Sequence, residues 1–159
     1  MNTEVAVGSA LSIVKQITVE APAERAFRVF TANMGAWWPR EHHIGKSALK
    51  DCVIEPRVGG RWYEVTEDGE SCDWGKVLAW EPPTRLVLAW QLNAQFAYDP
   101  SFVTEVEVRF TALGPKRTRV DFEHRDIERF GPMAAKLREE MGGGWAGILA
   151  SFAKEAAGG

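Results

Sequence analysis

The chain has 159 residues, of which 45% are hydrophobic and 26% charged, a globular balance that excludes disordered and fibrous classes. At this length roughly 68–70% of the unfolded surface can be buried around one core, so folding needs neither metal nor disulfide staples. With 19 basic side chains against 22 acidic ones and a net charge of −3, the chain has no general attraction for nucleic acid or anionic lipid, and no nucleic-acid partner is expected.

The opening MNTEVAVGSALSIVKQ has an acid at position 4, no basic leader and no unbroken apolar run of spanning length, so no signal peptide and no membrane insertion are expected. A cytoplasmic location follows, with residues 1–10 read as a flexible lead-in to a single domain over 1–159. Residues 11–19 alternate loosely and predict a strand. APAERAFRVFTAN then opens on Pro22 and places Ala26, Phe27 and Phe30 on one helical face.

The connector GAWWPREHH, residues 35–43, sets two tryptophans against a proline and ends on two adjacent histidines. Pro39 disfavours helix at Trp38, so the rings of Trp37 and Trp38 are expected to diverge. From residue 50 onward, turn signals at VGG, EDGE, EPPT, YDPS and LGPK mark off six strands, about 50–57, 60–67, 72–80, 85–93, 102–112 and 117–125, in an antiparallel meander. Alternation puts Thr104, Val106, Val108 and Phe110 on one face of their strand, and Thr118, Val120, Phe122 and His124 on the matching face of the next.

A short helix is predicted over GPMAAKLREEM, with Met133, Leu137 and Met141 on one face, and a second where Trp145, Ile148, Leu149, Phe152 and Ala156 recur at helical spacing. Between them Gly142, Gly143 and Gly144 predict a break, because three successive glycines carry a large entropy penalty in a helix. The resulting order of strand, helices, six strands and helix is α+β, with the helices gathered on one face of a curved sheet.

That order, with APAERAF at 21–27, EPRVGGRW at 55–62, GKVLAWEPPTRLVLAW at 75–90, TRV at 118–120, EH at 123–124 and GW at 144–145, resembles the START-like superfamily. This superfamily is also called Bet v 1-like or SRPBCC, and the chain is similar to its activator-of-heat-shock-protein-ATPase homologue type. The WWP…HHIG and CDWGKVL stretches are similar to the branch that includes an enediyne-antibiotic self-resistance protein. The resemblance implies a helix-grip fold: a seven-stranded antiparallel sheet wrapped around a long C-terminal helix, with short helices after the first strand and an apolar cavity between sheet and helix. No separate chaperone-binding domain is read in the chain, which departs from the cochaperone pattern.

Seven tryptophans, at 37, 38, 62, 74, 80, 90 and 145, are many for this length. Trp80 and Trp145 read first as core. Trp90 follows Leu86 and Leu88 on one strand face and is aimed at the implied cavity. Flat apolar walls of this kind suit a planar aromatic ligand and also suit packing.

His42 and His43 point opposite ways on an extended segment and have no Cys or His partner at ligand spacing, so no metal is expected; at a pocket mouth either could bind a polar group or work as an acid/base. Glu64 goes wherever Trp62 goes, either into the cavity as a second acid/base candidate or onto the wet face. Cys52 and Cys72 read as unbridged thiols. No cofactor motif, phosphate loop or nucleophile triad stands out, and no cofactor is expected.

The candidate ligand-binding set is therefore Trp37, Trp38, His42, His43, Trp62, Glu64, Trp74, Trp90, Phe110, Met133, Leu137, Trp145 and Leu149, with His42, His43 and Glu64 as the catalytic candidates. The expected partner is a small hydrophobic, aromatic or polyketide-like molecule, held by a monomer or homodimer. The alternatives are a cyclase or dehydratase type of enzyme, a resistance protein that sequesters a toxic metabolite, and a chaperone-associated interaction module.

Overall fold

The computed structural model describes residues 11–158; the flexible lead-in expected at 1–10 lies outside them. Seven strands, β1 (Ile13–Val19), β2 (Leu49–Ile54), β3 (Arg61–Thr66), β4 (Ser71–Glu81), β5 (Arg85–Trp90), β6 (Thr104–Gly114) and β7 (Arg117–Arg125), form one antiparallel sheet in the order β1-β7-β6-β5-β4-β3-β2. Every predicted strand is present. The helices are α1 (Ala23–Thr31), α2 (Met34–Trp37) and α3 (Ala134–Ala156), the last preceded by a 3-10 turn at Ile127–Met133. This is the α+β helix-grip arrangement.

Alternation decides which face is covered. On β6 Thr104, Val106, Val108 and Phe110 are buried, and on β7 Thr118, Val120, Phe122 and His124, as the pattern requires. Opposite them, α3 buries Leu137, Met141, Trp145, Ile148, Leu149, Phe152 and Ala156. Helix α1 closes one end of the sheet, where Phe27 and Phe30 meet Phe110 with ring centroids 5.2 and 6.0 Å apart and Phe30 and Trp37 each meet Phe152. Arg25 of α1 donates to the carbonyls of Ala156 and Glu155, satisfying acceptors that the C-terminus of a helix leaves open.

The predicted break at the three glycines does not occur. Helix α3 runs unbroken through Gly142, Gly143 and Gly144, and the backbone discontinuity sits earlier, at Gly131 (φ 72°), followed by Pro132. The apolar residues on both sides of the glycines pack on the same sheet face, and that tertiary burial outweighs a local propensity deficit of about 1 kcal/mol per glycine.

A Cβ at Gly143 would meet nothing within 4 Å, so the glycine there serves no close approach. Gly143→Ala is expected to stabilise the protein by about 1 kcal/mol, read as a higher urea midpoint at unchanged slope; a lower midpoint would contradict the unbroken helix.

Candidate functional site

At the end of the sheet away from α1, the core gives way to a cavity of about 410 Å³. The loop after α2 contributes Trp38, Glu41, His42, His43 and Ile44 to its lining, the sheet and the loop after β5 contribute Trp74, Trp90, Leu92 and Phe96, and α3 contributes Glu140, Met141, Gly144, Trp145 and Ile148.

Tryptophan dominates the walls. Ring centroids of Trp38 and Trp74 are 5.0 Å apart, Trp74 and Trp62 5.5 Å, Trp62 and Trp90 5.8 Å, Trp90 and Trp145 5.8 Å, and Trp145 and Trp38 5.8 Å. Five indoles thus close a ring of edge-on and tilted contacts, the geometries that aromatic quadrupoles favour. Four of the five line the cavity; Trp62, fully buried, backs Trp74 and Trp90 from behind, and its indole N–H has no hydrogen-bond partner among the described residues.

Local backbone explains how these rings arrive. The register between β3 and β4 jumps where Trp62 pairs with Gly75 and Tyr63 with Asp73, so Trp74 is the extra residue of a β-bulge that turns its ring inward. Gly75 is obligatory there, since a Cβ would collide with the Ala89 carbonyl oxygen. At Trp38 the chain leaves α2 with ψ 128°, as Pro39 demands. The two neighbouring rings do not part as expected, since they stay in tilted contact with centroids 6.1 Å apart, but their N–H groups go separate ways: the Trp37 indole donates to the Val29 carbonyl at 2.7 Å inside the core, whereas Trp38 lines the cavity and donates to the His42 carbonyl at 2.8 Å.

Glu64 holds the mouth loop to the sheet. Its Oε1 accepts from the backbone N–H of Ile44 at 2.8 Å and from Trp74 Nε1 at 2.7 Å, and its Oε2 from the N–H of Gly45 at 2.8 Å. The side chain is fully buried and does not line the cavity. The acid/base candidacy of Glu64 is corrected accordingly: three donors occupy the carboxylate, and what it does is fix a wall and a loop. A methyl at Gly45 would collide with Thr66 and crowd Glu64 Oε2, which explains the glycine.

His124 is a buried group that sequence reasoning placed on the covered face without giving it a role. Trp145 Nε1 lies 3.2 Å from its Nδ1 and Thr104 Oγ1 2.8 Å from its Nε2. An indole only donates, so Nδ1 accepts and Nε2 carries the hydrogen shared with Thr104. Burial pushes the imidazole pKa down to about 3, so the ring stays neutral and fixes the orientation of Trp145.

Of the sequence candidates, Trp38, His42, His43, Trp74, Trp90 and Trp145 are brought together around the cavity. Trp37, Trp62, Phe110, Leu137 and Leu149 pack in the core, and Met133 lies 41% exposed just before α3. The cavity side of α3 is Glu140, Met141, Gly144, Trp145 and Ile148; helical spacing marked its buried face but not which turns of that face meet the cavity and which meet the core. Ile44 and Phe96 sit on loops, where no periodicity marks them, whereas Leu92 continues the period-two run of Leu86, Leu88 and Trp90 just past β5, a signal that could have found it. Phe96 adopts a left-handed φ of 57°, in a turn where Asn93 Oδ1 accepts from the N–H groups of Gln95 and Ala97. Trp80 is partly buried against the core, edge-on to Phe27 at 5.1 Å.

Residues 20–157 match the family described as Activator of Hsp90 ATPase homolog 1-like protein. The chain belongs to that family. Among solved structures, this Activator of Hsp90 ATPase homolog 1-like chain is similar to the anthrahydroquino-gamma-pyrone synthase Txn09, with 35% identity over 90% of this chain and 95% of that one and a TM-score of 0.66. It is similar also to the self-sacrificing resistance protein CalC from Micromonospora echinospora, with 36% identity over 91% and 93% of the two chains and a TM-score of 0.69. A protein from Nitrosomonas europaea, 18% identical over 93% and 95% with a TM-score of 0.67, shares the fold. No curated protein matches the chain. Family and fold are those of a ligand-binding domain in the general sense, and no described helix is long and apolar enough to cross a membrane.

Two predictions test the site. Glu64→Gln sets an NH2 against backbone or indole donors and is expected to cost about 2–4 kcal/mol of stability, measured by urea unfolding; an unchanged midpoint would contradict the latch. His124 is harder to protonate folded than unfolded, so its contribution is complete above its ordinary pKa of 6.5 and is lost as pH falls from there toward 3, at roughly 1.4 kcal/mol per pH unit. His124→Gln can still accept from Trp145 and donate to Thr104, and it is expected to flatten the fall in melting temperature between pH 6.5 and 4.

Proposed function

We propose that the protein encloses a small planar aromatic, polyketide-like molecule in the tryptophan cavity, between the sheet and α3. The observation that carries this reading is the ring of five mutually touching indoles, four of which face one space of about 410 Å³. A core that only needed filling would bring these rings together without leaving a volume in the range of small-molecule sites. Flat walls on several sides favour a flat guest through stacking and edge contacts. His42, His43, Glu41 and Glu140 give the mouth its polar groups, which suits a ligand with an apolar body and a hydroxylated or otherwise polar tip. The likeness to a synthase named for an anthrahydroquino-gamma-pyrone product supports a polycyclic aromatic ligand class.

A second reading, chemistry on that ligand, is favoured by the same likeness and by the imidazoles at the mouth. A third, sequestration of a toxic metabolite, draws on the likeness to a resistance protein. Binding is common to all three.

Tryptophan fluorescence tests binding directly. Hydroxyanthraquinones, as tricyclic aromatic probes, are expected to quench the emission of the wild-type protein with dissociation constants on the order of 1–10 µM. Trp90→Phe, which keeps an aromatic wall but changes its shape, is expected to weaken binding several-fold. Absence of quenching across naphthoquinones, anthraquinones and tetracyclic quinones would refute the reading.

A further inference from the structure

We infer that His43 is a proton acceptor for a hydroxyl of the bound ligand, acting through Nε2; this rests on the cavity reading above and adds an activity to it. The starting observation is the hydrogen bond of the imidazole. Nδ1 of His43 lies 3.0 Å from the carbonyl oxygen of Gly45. A carbonyl only accepts, so Nδ1 must carry the hydrogen, and the neutral ring then has its free lone pair on Nε2. The ring lines the cavity, with its side chain 24% exposed.

The second observation is what stands behind that ring. Glu64 Oε2 lies 3.9 Å from Nδ1, and its carboxylate is fully buried. When Nε2 takes a proton, the imidazolium forms beside a fixed negative charge, and Gly45 and Glu64 both stay in place because the N–H of Gly45 is itself bonded to Glu64 at 2.8 Å. Backbone carbonyl, imidazole and carboxylate make one preorganised unit, so little rearrangement accompanies the transfer. The same carboxylate holds the Trp74 indole at 2.7 Å, which couples the proton acceptor to a wall of the cavity.

His42 lacks this support. Its nearest charged partner is Glu41, 4.0 Å away, and both side chains are exposed, at 43% and 75%. The titratable groups around the cavity are Glu41 and His42 on the loop of His43, Glu64 from β3 and Glu140 from α3. Of the two mouth imidazoles, only His43 has a buried carboxylate behind it.

The step itself is a simple transfer. The ligand's O–H bond breaks, its electron pair stays on oxygen as a phenolate or enolate, and the proton goes to His43 Nε2. No oxidant, metal or second substrate enters. The oxyanion so formed is the nucleophilic form of the ligand, and the imidazolium can return the proton later.

The probe for the test is 1,2-dihydroxyanthraquinone, whose absorption moves to longer wavelength on loss of a phenolic proton. Bound to the wild-type protein it is expected to ionise at a pH about one unit below the free dye, a roughly tenfold stronger acid. At dye concentrations that saturate the quenching, His43→Gln, which can still donate to the Gly45 carbonyl, is expected to lose the spectral shift. Nitrogen-15 resonances of His43 in the wild-type protein give an independent reading, and a protonated Nδ1 with a free Nε2 is expected.

The inference is overturned if the bound dye ionises like the free one, if His43→Gln keeps the shift, if His42→Gln removes the shift while His43→Gln does not, or if Nε2 carries the hydrogen. The tautomer decides the matter should His43→Gln fail to fold. If no quinone of the set quenches fluorescence, the cavity reading falls, and this inference falls with it; if other quinones quench and this dye does not, or if it quenches without a shift, the inference alone is sunk.

Discussion

One buried carboxylate holds the open end of the molecule in shape. Glu64 has no exposure to water, and burial of such a group is tolerable only where hydrogen bonds replace its hydration. Its donors come from two places, the backbone of the loop after α2 at Ile44 and Gly45 and the bulged Trp74 of β4. Loop, sheet and aromatic wall therefore form one unit. Cys52 and Cys72 flank Glu64 in register on β2 and β4, and both thiols are free, with Cys52 pushed far up from its ordinary pKa by burial. The carboxylate sits between two unbridged thiols, and its hydrogen bonds come from the loop and from Trp74.

The tryptophans divide according to what their N–H groups find. Trp37 reaches the Val29 carbonyl and becomes core; Trp38 reaches the His42 carbonyl, Trp74 reaches Glu64, Trp90 the Leu92 carbonyl and Trp145 the His124 imidazole. Each of the four cavity-lining rings is thus pinned by a partner at its edge, which leaves its face for packing or for a guest. Rings fixed in this way keep a cavity open where untethered side chains would turn inward and fill it, since a void forfeits dispersion contacts along its whole lining. Trp62, the one member of the ring without a partner among the described residues, is also the one that does not reach the cavity.

Much of this architecture was legible along the chain. Alternation on β6 and β7 decided inward and outward faces, glycine and proline punctuation marked the strands, and Pro39 ended the helix at Trp38, because each of these is a local steric or periodic constraint. Trp90 was legible for the same reason: it follows Leu86 and Leu88 at period two. The three glycines were misleading, because backbone entropy is local whereas the burial that overrides it joins residues more than a hundred positions apart, as where Ser151 of α3 donates to the Trp37 carbonyl. Met133 and Leu149 entered the candidate set by helical spacing alone, and spacing does not say that Met133 lies before α3 and Leu149 in the core.

By itself the sequence determined the fold class, the run of strands, the covered face of the sheet and the surplus of tryptophan, since these follow from spacing and composition. Only the tertiary structure decided that Glu64 is a latch, that His124 orients Trp145, and that His43 rather than His42 stands in front of a buried carboxylate. The physical reason is the same in each case: the chemistry of an ionisable side chain depends on the donors and charges within a few ångströms, and those neighbours come from strands, loops and a helix far apart in the chain. In GAWWPREHH the residues are adjacent, but their roles are assigned by β3, β4 and α3.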